Sequence, residues 1–480
     1  MGNVTTSSQN NITSPNGNSL AVFVEGTTGV MKVKDVLGNI QPLSDFVTGG
    51  SGSSPFEYNV NATGIQPVLG TNDASGTYAT IGGGQGNSAN YSHSTVGGGL
   101  NNTASQYTST IGGGYCNISS NSFSVVGGGS CNIASGIGST ISGGCANISS
   151  NTYSSVGGGR QNTASGTRST IGGGYINIAS GSISTVGGGY CNTASGGCST
   201  IGGGYSNTIS ENNSAIVGGR NNRICLQQVD SSIVPKIGNF IGGGCNNIIN
   251  PNSYFPYYNT GGNVISGGFC NTLNPYGQGF ATIGGGYCNT TTYDFSTISG
   301  GSRNTAFGYF STVGGGGCNT VSSDCSTVGG GFTNTASGSV STIGGGCCNT
   351  ASGGCSTIGG GFCNSASCYN ITIGGGFCNI ASGASSTIGG GILNTASGIY
   401  SIIVGGRENT ASGYYGAILG GKSNSTNACD RAMIVGSNIT ADRVCTTFVN
   451  NLSIKNIPSS SVGLPSGSIY RIGNAVCIVI

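Results

Sequence analysis

The sequence predicts an all-β protein: a parallel β-solenoid, or β-roll, of 15-residue coils with small β modules at both ends. Three observations carry this. Gly makes up 96 of the 480 residues. An Ile or Val followed by glycines recurs 22 times from Ile81 to Ile418, and 18 of the 21 intervals are 15 residues long. The sixth residue after this anchor is Asn in every unit. So much Gly excludes a mainly helical chain, because each interior Gly costs about 1 kcal/mol relative to Ala. Without a three-residue Gly period it also excludes collagen. Only 5% of the residues are charged and the net charge is +2. That argues against a disordered chain and against a basic surface for nucleic acid.

The repeat reads I-G-G-G-x-x-N-T-A-S-G-x-x-S-T. With the anchor as column 0, columns 2 and 3 are always Gly, as in Gly83-Gly84 and Gly420-Gly421. The β-branched anchor, often preceded by Thr, favours a short strand. The glycines permit positive φ or a close backbone approach. Asn at column 6 suits a left-handed turn, and its amide can bond the same Asn one coil away. Asn87, Asn102, Asn117, Asn192, Asn349 and Asn379 stand for this predicted ladder. Ala-Ser-Gly is expected to form a second tight corner. One unit is then one coil rising by a strand spacing, and 22 coils would span about 105 Å. One Ile or Val and one Ala per coil offer little apolar burial against the entropy of ordering fifteen Gly-rich residues. Three chains sharing their anchors around a common axis are therefore expected, an intertwined or three-fold homotrimer.

Along the chain, residues 1–70 form an N-terminal attachment module. Residues 20–36 read as a β-hairpin around Thr27-Thr28-Gly29, and Thr48 to Ser54 as a linker. Residues 71–222 are uninterrupted shaft coils. In 223–282 the three long intervals of 25, 24 and 18 residues place extra segments after the Asn column, all in the same half of the coil. Regular coils resume over 283–424. Residues 425–480 depart from the repeat and are expected to cap the open end or to trimerise the chain. The start has no basic segment followed by an apolar run, and no 18-residue apolar stretch occurs, so neither secretion nor membrane insertion is expected. The 20 Cys are then expected to fold in a reducing cytoplasm.

With those columns established, Ser184-Thr185-Val186-Gly187-Gly188-Gly189-Tyr190-Cys191-Asn192-Thr193-Ala194-Ser195-Gly196 resembles the repeat of YadA-type trimeric adhesin heads. Their S-x-A-I-G-x-x-A-x-A-x-G unit is about one residue shorter. The resemblance spans about residues 75–440 and implies a trimeric β-roll. Residues 20–46 resemble the N-terminal segment of phage and giant-virus fibre proteins. Residues 446–454 and 463–480 resemble their C-terminal module, and the Gly-Gly-Gly…Asn-Thr-Ala-Ser-Gly arrays are similar to giant-virus repeat proteins.

Catalysis has little raw material. His93 is the one His, so any Ser-His-Asp or Cys-His constellation would rest on it, and it reads as a surface residue. Asp430 and Asp442 stand beside Arg431 and Arg443 and read as ion pairs. The Gly triplets lack a phosphate-loop context, and the repeats lack the Asp of calcium-binding rolls. No catalytic residue, metal site or cofactor is expected. Nine Cys lie at column 5, among them Cys348, Cys363 and Cys378 on consecutive coils. Two readings stand: a ladder that oxidises after release from the cell, or small buried filler in a reduced protein. Aromatics at column 4, such as Tyr115, Tyr190 and Phe377, read as a packing ladder or a glycan stripe. Tyr254, Phe255, Tyr257 and Tyr258 lie on an insertion and form a candidate contact loop.

Together these readings point to a non-enzymatic structural fibre protein of a virion. It would assemble in the host cytoplasm, attach to the particle through its N-terminus and meet host-surface glycan or protein. The alternatives are a self-polymerising extracellular filament and a monomeric ice- or glycan-binding solenoid. The last is motivated by Thr95, Thr110, Thr140 and Thr170 before their anchors.

Overall fold

A computed structural model describes residues 10–13, 19–24, 31–34, 40–42, 56–58, 65–67, 71–225, 238–251, 261–453, 457–472 and 475–478. They build a parallel β-solenoid of about 24 coils, with a repeat of about 15 residues and no helix. The chain divides into two compact units, Met1–Cys191 and Asn192–Ile480, and each is stacked from the same kind of coil.

The coil anchored at Ile111 shows the plan. Thr110–Ile111 pairs in parallel with Thr95–Val96 below and Val125–Val126 above. Ile118–Ser119 pairs in the same way with Thr103–Ala104 and Ile133–Ala134. Tyr115 makes a single parallel bridge to Leu100 and to Ser130. Strands of two residues suffice because every coil repeats them in register, so the ladder and not the strand is the cooperative element.

Besides Gly114 at φ 95°, two left-handed corners that carry side chains separate these segments, Cys116 at φ 53° and Phe123 at φ 61°. The first falls at column 5, one residue before the Asn expected there. The second falls at column 12, two residues beyond Ala-Ser-Gly. A non-Gly residue at positive φ costs about 1–2 kcal/mol. Each corner amide is satisfied by the previous coil: Cys116 donates to the Leu100 carbonyl (2.9 Å) and Phe123 to that of Tyr107 (2.9 Å). Strand amides donate the other way, as Thr110 does to Ser124 (2.9 Å). The Gly of Ala-Ser-Gly serves packing and not conformation. A Cβ on Gly136 would strike the backbone of Asn151 in the next coil.

The interior is narrow and half polar. Columns 0, 6, 8 and 13 point inward, and Ile111, Asn102, Ala104 and Ser109 are all fully enclosed, with 0% exposure. The same holds in the second unit for Ile358, Asn364, Ala366 and Ser356. The anchors are therefore covered by their own chain. An anchor with no exposed surface cannot be shared around a trimer axis, so the shared-anchor core does not provide a reason for trimerisation. The enthalpy that apolar burial lacks is supplied by hydrogen bonding between coils.

The ladder runs past the expected boundary at 424. Ala417–Ile418 pairs with Met433–Val435, which pairs with Thr447–Val449, all in parallel. At the other end Ile65–Pro67 bridges to Thr80 and pairs antiparallel with Phe56–Tyr58. Asn10–Thr13, Ser19–Val24, Met31–Lys34 and Ile40–Pro42 form a four-stranded antiparallel sheet, in which the second and third strands are those of the predicted hairpin. Ile469–Ile472 and Ala475–Ile478 form a C-terminal antiparallel pair. The linker at 48–54 lies outside the described residues.

All three insertions fall between columns 9 and 12. Strands on both sides keep register, as Arg223–Ile224 does with Ile248–Ile249 and Phe240–Ile241 with Val264–Ile265.

Columns 2 and 3 can be told apart by experiment. Gly159 has φ +83°, and a Cβ there would strike the Gly174 carbonyl and lie 2.7 Å from Asn162 Nδ2. A Cβ on Gly158 would meet nothing within 4 Å. Gly159→Ala is expected to destabilise the protein by about 2 kcal/mol or more, and Gly158→Ala by less than about 0.5 kcal/mol. Denaturant unfolding of the two variants measures the difference.

Candidate functional site

The most elaborate constellation is the buried Asn file, and its role is structural. Asn102 is typical. Its Oδ1 accepts the Asn117 backbone amide at 3.0 Å and Asn117 Nδ2 at 3.1 Å. Its Nδ2 donates to the Gly98 carbonyl of its own coil (3.0 Å) and the Gly114 carbonyl of the next (2.9 Å). Its Nδ2 also reaches Asn87 Oδ1 of the coil before at 3.1 Å, so this side chain ties three coils. Asn87, Asn117, Asn349 and Asn379 bond in the same pattern to the column 2 and column 3 glycines. In the second unit Asn192 Nδ2 donates to Gly204 and its Oδ1 accepts the Asn207 amide. The file begins before the first anchor, where Asn72 Oδ1 accepts the Asn87 amide (2.9 Å). In the second unit the last Asn, Asn424, accepts the Ile439 amide (3.1 Å). The column 3 Gly is required because its carbonyl must lie against this amide, and a Cβ would occupy the amide's place.

Two buried features were not read from the sequence. Ser at column 13 closes a turn: Ser109 Oγ donates to the Gln106 carbonyl (2.7 Å) and accepts the Gln106 amide (3.1 Å). The signal was the near-constant Ser two residues before each anchor. In the coils carrying insertions Asn239 and Asn263 replace that Ser and start a second Asn file. Asn239 Oδ1 accepts both the amide (3.1 Å) and Nδ2 (2.9 Å) of Asn263, whose Oδ1 accepts the Ala281 amide (3.0 Å). Asn239 Nδ2 donates to buried Glu211 at 2.6 Å. Beyond the third insertion the buried Asp294 carboxylate accepts three amides, from Gly277 (3.1 Å), Gln278 (2.6 Å) and Gly279 (2.9 Å), and so pins that loop. Burial first, and then the Asp294 charge, hold the neighbouring Tyr309 phenol above its usual pKa.

The outward columns carry the chemistry exposed to solvent. At column 4, Phe362 and Phe377 stack at 5.2 Å and 8°, and Phe269 and Tyr287 at 5.5 Å and 4°. Tyr115 and Tyr190 share that column and are exposed. Column 12 forms a second aromatic file, with Phe280, Phe295 and Phe310 stacked at 5.5 and 4.8 Å. His93 lies in that file, between Tyr78 and Tyr107, with its Nδ1 2.8 Å from Ser92 Oγ. Cys348, Cys363 and Cys378 are partly exposed free thiols on the column 5 corner, so they are not interior filler. Arg443 pairs with Asp442 at 3.0 Å and holds that carboxyl below its usual pKa. Asp430 accepts the Tyr414 amide (3.0 Å). The Thr95, Thr110, Thr140 and Thr170 file at column 14 faces outward beside the column 1 residue, which is Gly97, Gly112 and Gly172 in three of these coils and Ser142 in the fourth. Columns 7 and 9 instead carry two parallel hydroxyl files, Thr335 with Ser337, Thr350 with Ser352 and Thr395 with Ser397. The contact-loop residues Tyr254, Phe255, Tyr257 and Tyr258 lie outside the described residues.

Among the described residues no group of three or more His, Cys, Asp or Glu is placed to hold a metal ion, and no helix is long and apolar enough to cross a membrane. Compared with known protein families and with characterised proteins, the chain matches none.

Asn162→Ala would strip donors from the Gly158 and Gly174 carbonyls and an acceptor from the Asn177 amide. Each buried group left unpaired costs about 1–3 kcal/mol, so a loss of about 3 kcal/mol or more is expected in denaturant unfolding. Asn162→Asp keeps the shape and the acceptor but loses both donors, and is expected to be no better than Ala.

Proposed function

We propose that the chain is a structural fibre protein of a virion, without enzymatic activity, that acts as a homotrimer and carries host-surface contacts on its shaft and insertions. The observation that carries this reading is the Asn–Gly relay. The chain devotes its most elaborate buried hydrogen bonding to repeating one cross-section coil after coil. The resemblance of both ends to viral fibre modules supplies the virion context. The exposed apolar files at columns 4 and 12 offer surface that copies of the chain can cover, which the enclosed anchors do not. Light scattering on the purified protein is expected to give three times the 47.1 kDa chain mass. A particle of one chain mass would remove the trimer, and absence of the protein from purified virions would remove the viral role.

A second reading, a monomeric binder of ice or crystalline glycan, is favoured by one feature, the doubled hydroxyl files at columns 7 and 9. Where Thr and Ser hold both columns, neighbouring coils repeat them about every 4.8 Å, with Ile380 interrupting the column 7 file between Thr350 and Thr395. A doubled row of hydroxyls of this kind suits a periodic hydroxylated surface. Thermal hysteresis in a freezing assay, lost on replacing Thr335, Thr350 and Thr395 by Tyr, is the outcome this reading requires.

A further inference from the structure

The column 5 corner places thiols where the coils bring them into one file. Cys348, Cys363 and Cys378 stand on three successive coils, all at left-handed φ of 59°, 54° and 51°. Their amides are pinned to the coil before, at the carbonyls of Phe332 (3.0 Å), Cys347 (2.9 Å) and Phe362 (2.8 Å). Identical backbone geometry sends the three side chains out in the same direction. Neighbouring coils are separated by about 4.8 Å, within the usual Cα window of a disulfide, about 4.4–6.8 Å. The thiols of Cys348 and Cys378 are both close enough to raise the Cys363 pKa. All three are partly exposed and free.

A fourth thiol defines the alternatives. Cys347 Sγ is 3.2 Å from Cys348 Sγ. These residues are adjacent in sequence, however, and consecutive Cα atoms are about 3.8 Å apart, below the disulfide window. The column neighbours of Cys347 are Phe332 and Phe362, so it has no thiol above or below it in its own file. Cys363 alone among the four has a same-column thiol on both sides.

We propose that this file is a redox-closable staple between coils, in which Cys363 is the shared member and bonds either Cys348 or Cys378. The co-reactant is a small disulfide donor of the glutathione class. The Cys363 thiolate attacks the donor and expels one thiolate, leaving a mixed disulfide on Cys363. The thiolate of Cys348 or Cys378 then attacks the Cys363 sulfur and expels the second. Two protein thiols are oxidised, one donor disulfide is reduced to two thiols, and the two protons released from the cysteines go to those products. The third thiol can attack the new bond at Cys363 and move it one coil along, with no net oxidation. Burial, and then the neighbouring thiols, hold the Cys363 pKa above its usual value. Few thiolates are therefore present at neutral pH, and closure requires the donor and quickens on the alkaline side. The staple closes a 15-residue loop in the unfolded chain and does not depend on the viral reading.

The test is peptide mapping of the full-length folded protein after exposure to oxidised glutathione. The expected products are a 348–363 link and a 363–378 link, never both in one chain, with a raised unfolding midpoint that dithiothreitol reverses. Cys363→Ser is expected to lose both links. Ser206 and Ser423 occupy the same column at φ 52° and 56°, so Ser is accommodated there. Cys348→Ser is expected to retain only the 363–378 link, and Cys378→Ser only the 348–363 link. Recovery of Cys363 as a free thiol or only as its glutathione adduct overturns the proposal. So does a dominant 347–348 bond, or a link that joins two chains.

Discussion

The structure depends on the burial of one amide per coil. A side chain such as Asn102 at 0% exposure has two donors and an acceptor that water cannot reach, and an unpaired buried polar group costs about 1–3 kcal/mol. The groups that satisfy it belong to the coil below, its own coil and the coil above. Register is thereby enforced, since a coil displaced by one residue would strand the Asn and turn the anchor outward. An apolar core of one Ile or Val and one Ala per coil could not enforce this, because apolar contacts are non-directional.

This constraint divides each coil into a conserved arc and a tolerant one. From the anchor to the Ala at column 8, backbone carbonyls and amides are committed to the Asn relay and the two strands. Between columns 9 and 12 the chain only has to turn and return. The three insertions fall there; buried Glu211 accepts Asn239 across the first, and buried Asp294 accepts three amides of the third. The corners at columns 5 and 12 point outward, so Cys, Phe, Tyr, Arg and Ser all occur at positive φ. Varied surface chemistry is carried on an invariant frame, and neighbours in a column become neighbours in space although 15 residues separate them.

Much of this was legible in the chain. The period, the inward anchor, the requirement for Gly at column 3 and the file of Asn all follow from residues that do not vary. The corners were less legible. Asn is the familiar left-handed residue, yet Asn117 is committed to the buried relay and Cys116 takes the strained conformation instead. Ser109 went unread because its buried turn to Gln106 leaves no mark beyond recurrence. Asn239 and Asn263 were hidden by the irregular spacing around them, and the coils beyond Ile418 by the loss of the Gly signature at Met433–Val435.

The sequence by itself determined that fifteen residues make one coil and which side chains must superpose, because a strict period forces equivalent residues into equivalent surroundings. Only the tertiary structure decided how many chains a coil needs to cover its anchor, since that depends on whether the backbone closes around Ile111 or leaves one side open. It closes, with a narrow interior that small side chains and a buried amide can fill. The structure also decided that the thiols lie outside that interior, because the direction of a side chain at a corner follows from φ, which no residue type at column 5 declares.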